Sequence, residues 1–561
     1  MASLESPRFP VKRLVILFII GLAGTCLRFA IATTDGLWLD ELHTAWTTGG
    51  SLDQVAARAD FGNQMPIYFW LLWCVRRLTQ WFLVAEGNLS LRFLSVLSGC
   101  GVMMVGCSLV WTWTRCFLAV ICAGLLMAVD TSLVFYSTEA RPYAVMQLVA
   151  LIQVGFYWAW LNRFIQEPLE PGGRSASGNL NVLGIGLAVS TALLVSIHVT
   201  SLWLPLCEVF FFIAFSCNQI RPWKDAASFD FRSASKSAMV IALMAAVLLV
   251  PSLLELKQTF HVRENWTPIS NRTQLLADLD RPLRWGILMP VIGMCLLNLS
   301  QANHRGANRT PSIEQTRRDR LGWRLGFVGA WALIPVAGVW LLDCIQAAPL
   351  ANVRYVQVGA AAIPIFSALA IGWLSRISQR VTLLVFVLIG SAIVNPWLLP
   401  LFSAKAIPQF RFEDWAAAIQ EINRGSKQQP RPILLFANLL EDRHALSNTK
   451  FGFQEYLRFP LYGSPQLDMD SKRTIVYPTL RFAGLVQADI ERVWQQGGAW
   501  VIVRGRDPLV SEIVSKIFDQ VKQSGKTRSD SRPPDWRIEF ARFEQSRQND
   551  VKLFLLSRQN R

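Results

Sequence analysis

The stretch Leu14–Thr34, LVILFIIGLAGTCLRFAIATT, decides the class of this chain. It is apolar almost throughout and matches the ~20 residues a helix needs to cross about 30 Å of hydrocarbon. Lys12 and Arg13 precede it, and Ala30-Ile31-Ala32 mimics a cleavage site, so a secretory signal is the competing reading. The length of the run and the presence of Arg28 favour a retained first helix, with Arg28 snorkelling toward its outer end.

Similar runs follow at 89–111, 115–135, 143–161, 180–197, 200–217, 237–254, 284–300, 325–345, 355–374 and 381–401. Together they predict a polytopic α-helical membrane protein of about eleven transmembrane helices. The pair 180–217 is read as two spans turning at His198-Val199-Thr200. Of the 561 residues, 52% are hydrophobic and 17% charged, against about 25% charged in an ordinary soluble domain. The net charge is +16, and many of the basic residues cluster between the apolar runs, among them Arg221, Lys224, Arg232, Lys236, Arg305, Arg309, Arg317, Arg318, Arg320 and Arg324. There they orient spans rather than bind nucleic acid, and they place the N-terminus in the cytoplasm and the C-terminal tail outside. The ten cysteines precede the tail, mostly inside apolar runs, with no zinc or redox spacing.

The first outer loop, 35–88, is long and reads as a structured cap. Its segment Pro66–Arg77 is aromatic and amphipathic, suited to the interface, and Glu41–Asp60 is a second candidate helix. A twelfth span over 66–84 is opposed by Arg76 and Arg77 in its middle, each costing about 2.5–3.5 kcal/mol at the bilayer centre. The chain therefore divides into a transmembrane part, 1–402, with the structured loop 35–88, and a soluble extracytoplasmic part, 403–561. In the latter, a helical pattern over 413–419 precedes apolar runs at 433–436, 474–477 and 500–503, with a helix over 509–521 between later elements. That alternation predicts a C-terminal α/β domain with a largely parallel sheet, and no glycine-rich phosphate loop follows any strand.

Charged residues at the outer mouths of the spans are the candidates for chemistry. Asp40 and Glu41 follow the aromatic segment Gly36–Leu39; adjacent carboxylates on a loop can divide proton transfer from positioning or cation binding, or simply cap a helix. In Tyr136-Ser137-Thr138-Glu139-Ala140-Arg141-Pro142-Tyr143, Pro142 suits the first turn of a helix and places Arg141 where a phosphate is favoured. A Glu139–Arg141 ion pair or a headgroup anchor is the alternative. His198 is either a proton carrier or sugar contact or an ordinary satisfied polar residue. Arg263, Glu264 and Arg354 complete the outer charges.

Leu37-Trp38-Leu39-Asp40-Glu41 resembles the Asp-Glu motif of GT-C glycosyltransferases of the family-39 type, the group of the protein O-mannosyltransferases and the lipid A aminoarabinose transferase. The stretch Tyr136–Tyr143 is similar to the Tyr-Ser-x-Glu-Ala-Arg-x-Tyr signature of its bacterial members, and His198 and Arg354-Tyr355 match weaker features. The resemblance covers residues 10 to about 400. It implies a GT-C-like membrane enzyme moving a sugar from a polyprenyl-phosphate donor to a glycan, lipid or protein acceptor, with inversion, at the outer face of a bacterial inner membrane. Asp40 is then the base and Glu41 its neighbour in positioning or in a divalent-metal site. Arg141 and Arg354 hold the donor phosphate, and Glu139, Tyr143, His198, Tyr355, Asn63 and Gln64 line the substrate cavity. No cofactor is required by these residues, and membrane lipids are the surrounding partner. One departure is Asn63-Gln64-Met65-Pro66, where bacterial relatives often carry His-Pro-Pro. The competing function is a membrane carrier or flippase, for which Glu208, inside the sixth span, is the relevant residue.

Overall fold

The protein is described here by a computed structural model covering residues 11–34, 36–62, 64–83, 88–165, 177–220, 231–263, 272–302, 313–347, 350–394, 413–439, 452–461, 476–477, 485–526, 535–541 and 550–559. It is a polytopic α-helical membrane protein with a C-terminal α/β domain. The chain divides into two compact units, residues 1–32 with 92–408, and residues 33–91 with 409–561.

The first unit is helical. It contains most of α1 (Val11–Thr34) and α5 (Asn88–Thr114), then α6 (Phe117–Val129), α7 (Thr131–Ser137), α8 (Tyr143–Ile165), α9 (Ser177–Ile197), α10 (Trp203–Ile220), α11 (Phe231–Arg263), α12 (Arg272–Leu283), α13 (Met289–Ala302), α14 (Ile313–Cys344), α15 (Ala362–Trp373) and α16 (Ile377–Val394). Among the described residues, seven helices are long and apolar enough to cross a membrane, and eight if the bent pair α6–α7 is one span. Shorter apolar helices lie at Asn181–Ile197, Arg284–Leu297 and Ile377–Ala392. Each expected span from 14–34 to 355–374 falls on one of these helices, and 381–401 does so as far as Ala392, with residues 395–401 outside the described ones. The turn expected after Ile197 is a 3-10 segment, Val199–Leu202, in which Ser201 Oγ returns to the Leu194 carbonyl at 2.9 Å.

Two details depart from the sequence reading. The run 115–135 is broken, not straight: α6 and α7 meet at 56° around Asp130. The Asp130 side chain caps α7 by accepting the Leu133 N–H at 2.9 Å, and the carbonyls left open before the break need donors. Arg28 supplies them, donating to Met127 O at 2.8 Å and to Ala128 O at 3.2 Å. Its side chain is fully buried, so it does not snorkel. A helix break inside an apolar bundle is stable only when its backbone groups are satisfied from neighbouring elements, and Arg28 is that neighbour.

The second unit joins the first outer loop to the C-terminal tail. The loop folds into α2 (Leu39–Thr47), α3 (Leu52–Phe61) and α4 (Pro66–Leu83). The helix α4 is not among those apolar enough to cross a membrane. Arg76 in α4 donates to Thr48 Oγ1 at 2.6 Å and to Ala45 O at 3.4 Å, closing the C-terminal end of α2. Burial, and after it the neighbouring Arg77, lowers the Arg76 guanidinium from its ordinary value.

The tail comprises α17 (Trp415–Gln428), β1 (Ile433–Phe436), α18 (Phe453–Leu457), β2 (Val476–Tyr477), α19 (Gln487–Gln495), β3 (Gly498–Arg504), α20 (Asp507–Lys526), β4 (Trp536–Phe540) and β5 (Val551–Arg558). The sheet order is β2-β1-β3-β5-β4. Strands β1, β2 and β3 are parallel, as their unbroken apolar runs indicate, and Leu434, Val501 and Val503 pack with Ile490, Ile513 and Ile517 of the covering helices. The sheet is mixed rather than largely parallel, because β5 runs antiparallel to both β3 and β4. Residues 541–550 between β4 and β5 are fewer than the dozen or so that a parallel crossover requires.

Candidate functional site

Asp40 and Glu41 stand on the first turn of α2, not on a loop. Trp38 is the extended residue before the helix, and its carbonyl accepts the Glu41 and Leu42 amides, both at 2.9 Å. Glu41 reaches back to the Trp38 N–H at 3.5 Å and is fully buried, which is the capping geometry for an acid three residues into a helix. Asp40, one residue earlier, is half-buried. The two carboxylates thus separate: Glu41 closes the start of the helix, and Asp40 retains partial access to solvent.

The tail surrounds α2 on several sides. Glu413 Oε2 accepts the Leu39 N–H at 3.0 Å and Trp415 Nε1–H at 2.8 Å. Its other oxygen accepts both Nε and Nη2 of Arg504, at 2.8 and 2.7 Å. Farther along α2, Glu455 accepts Trp46 Nε1–H and an Arg58 N–H, each at 3.1 Å. His43 is buried in an aromatic nest, with ring centroids of Phe459 at 5.4 Å, Tyr456 at 5.8 Å and Phe69 at 6.0 Å. A side chain at Gly62 would collide with the His43 ring, so the chain after α3 passes there only as glycine. In the sequence Glu413 reads only as part of a helical pattern, and Arg504 carries no mark. Nothing in their spacing, ninety-one positions apart, signals that they meet.

Gln64 is spent locally: its amide N–H donates to Ala59 O at 3.0 Å and its side chain to Gly62 O at 3.2 Å. Asn63 and Glu264 lie outside the described residues.

The remaining candidates gather in the other unit. Beyond α7 the chain turns through residues 138–142, where Arg141 N–H donates to Glu139 O at 2.8 Å and Ser95 Oγ to Arg141 O at 3.4 Å. Pro142 lies immediately before α8, and its carbonyl accepts the Met146 amide at 2.9 Å, starting the helix. Glu139 and Arg141 are both buried. Tyr143, the first residue of α8, contacts Tyr136 with ring centroids 4.7 Å apart and His198 at 5.4 Å. His198 in turn lies 6.1 Å from Tyr355, and its Nδ1 is 2.8 Å from Thr200 Oγ1. Arg354 is the second residue of the 3-10 segment Val353–Gly359 and places its guanidinium 5.0 Å over the Tyr355 ring. Three separate stretches of chain, 136–143, His198 and Arg354-Tyr355, thus bring Tyr136, Glu139, Arg141, Tyr143, His198, Arg354 and Tyr355 together, carrying two guanidinium groups.

A divalent metal was admitted only at Asp40 or Glu41. Among the described residues no group of three or more His, Cys, Asp or Glu gathers as a metal site. With Glu41 closing the helix end, Asp40 and Glu41 do not form one.

No protein-family description and no curated protein matches the sequence. Solved structures to which the chain is similar include the Archaeoglobus fulgidus oligosaccharyltransferase in its apo form, at 12% identity over 88% of this chain and 69% of that one, with a TM-score of 0.44. They also include the oligosaccharyltransferase AglB of the same organism in complex with an inhibitory peptide and a dolichol-phosphate, at 10% identity over 88% and 69%, with a TM-score of 0.46. ArnT from Cupriavidus metallidurans in the apo state is similar at 12% identity over 97% of this chain and 98% of that one, with a TM-score of 0.39.

Proposed function

We propose that this chain is an integral membrane glycosyltransferase of GT-C type that moves a sugar from a polyprenyl-phosphate donor to an acceptor hydroxyl on the periplasmic face of a bacterial inner membrane. The observation that supports the reading is the chain of ring contacts Tyr143–His198–Tyr355, at 5.4 and 6.1 Å, with Arg141 two residues before its one end and the Arg354 guanidinium 5.0 Å over its other. Two guanidinium groups from separate elements suit a leaving phosphate whose negative charge grows as the bond to the sugar breaks. In this unit of apolar helices a lipid-linked donor has the bilayer itself as its reservoir. Tyr143, Tyr355 and His198 supply flat, partly polar faces beside the two cations, as a sugar ring requires.

Asp40 serves as the base. It takes the acceptor hydroxyl proton as that oxygen forms its bond to the anomeric carbon; the carbon–oxygen bond to the phosphate breaks, and the polyprenyl phosphate departs with the bonding electrons. Attack opposite the leaving group inverts the anomeric centre. Glu41 holds the helix that carries Asp40. Residues 1–402 carry this chemistry in the proposal, with 403–561 as the periplasmic domain and the N-terminus in the cytoplasm.

The test is consumption of a panel of radiolabelled polyprenyl-phosphate sugars by purified protein in nanodiscs, with a membrane extract as acceptor source. A second reading, a carrier, draws on one observation: Glu208 in α10 is buried in the apolar bundle and bonded to Gln153 Nε2 at 2.8 Å. Movement of labelled donor across sealed vesicles without its consumption would favour that reading.

A further inference from the structure

We propose that Glu413 is a positioning residue for Asp40, so that the C-terminal domain acts on turnover through the first turn of α2; this rests on the assignment of Asp40 as the base. The first amides of a helix have no partner within it. For α2 the Leu39 N–H finds one in Glu413, a residue 374 positions away in sequence. A carboxylate at this end is also favoured by the helix dipole. Glu413 is itself held by four donors: one oxygen takes Leu39 N–H and Trp415 Nε1–H, and the other takes Nε and Nη2 of Arg504, at the end of β3. It is 9% exposed, so water does not readily replace a lost contact. Asp40 is the residue after Leu39, and its side-chain direction follows from the backbone of this turn. Catalytic geometry tolerates displacements of only about 0.5 Å, and the sheet-anchored Arg504–Glu413 pair is the support that fixes this turn.

The two roles open to Glu413, cap of α2 or simple ionic staple, separate on a charge swap. In E413R/R504E the ion pair can re-form, yet arginine has no acceptor for Leu39 N–H. The assay measures kcat and donor KM by donor consumption, melting temperature, and amide hydrogen exchange of the peptide spanning residues 36–47. Glu413→Ala is expected to lower kcat about tenfold with donor KM within about twofold, and to speed exchange in 36–47 about tenfold. E413R/R504E is expected to regain melting temperature over Glu413→Ala without regaining kcat or protection. Glu413→Gln, which keeps an acceptor, is expected to hold kcat within about threefold of wild type.

Recovery of kcat in the swap, or unchanged exchange of 36–47 in Glu413→Ala, overturns the proposal. The exchange measurement needs no substrate, so it decides whether Glu413 holds α2 independently of the reaction. Wild-type protein that consumes no donor overturns the transferase reading itself.

Discussion

Arg28, in the first helix, donates a hydrogen bond of 2.8 Å to the carbonyl of Met127, ninety-nine residues later. With the bond to Ala128 O it satisfies the end of α6, where the span breaks around Asp130 and redirects the chain toward Glu139 and Arg141. A charge-assisted hydrogen bond contributes about 1.5–3 kcal/mol. Arg28→Met is therefore expected to destabilise the protein by about 3 kcal/mol, read as a lowered melting temperature in detergent by tryptophan fluorescence. An unchanged melting temperature would mean that the break closes its carbonyls in another way.

Arg141 is buried, and its backbone N–H donates to Glu139 O at 2.8 Å. Arg141→Ala is expected to raise the donor KM about tenfold or more, the equivalent of one lost charge-assisted bond to phosphate, and to leave the acceptor KM nearly unchanged. Steady-state kinetics with each substrate varied in turn checks this. Equal losses for both would identify a structural arginine.

Glu455 joins Trp46 of α2 and Arg58 of α3 to the tail, but its side chain is 45% exposed. Glu455→Ala is expected to cost about 1 kcal/mol or less, because solvent screens an exposed pair. Chemical denaturation of the purified protein measures it. A much larger loss would show that this corner carries more of the unit's stability than its exposure implies.

Glu208→Gln separates the two functional readings. Glutamine keeps the volume and a hydrogen bond to Gln153, so a transferase whose chemistry lies elsewhere should retain donor consumption within about twofold. Loss of donor handling without loss of folding would shift the assignment to a carrier.

The bundle was legible because a membrane span announces itself locally: some twenty apolar residues are their own signal. The break at Asp130 was not, since it depends on Arg28, far away in sequence, and the apolar run continues on both sides of it. In the tail, β1 and β3 were visible as apolar runs. The antiparallel return of β5 was missed, although Leu553–Leu556 is an apolar run like that of β1, because nothing local in such a run fixes its pairing partner or direction. Asp40, Glu41, Arg141 and Arg354 were found through motifs and through charge at helix mouths. The role of Glu41 in closing α2 follows from helix geometry once Trp38 is seen as the residue before it. Glu413 and Arg504 carried no such mark, because a cap supplied from another part of the chain leaves no local pattern.

The proposed transfer depends on Asp40 as its base. The most direct measurement is release of labelled sugar from polyprenyl-phosphate donors by wild-type protein and Asp40→Asn, each shown to be folded by its melting temperature. Wild type is expected to consume one donor of the panel, and Asp40→Asn to lose at least about 100-fold of that rate, as removal of a general base implies. Undiminished consumption by Asp40→Asn would remove Asp40 from the chemistry, and no consumption by either protein would contradict the glycosyltransferase assignment.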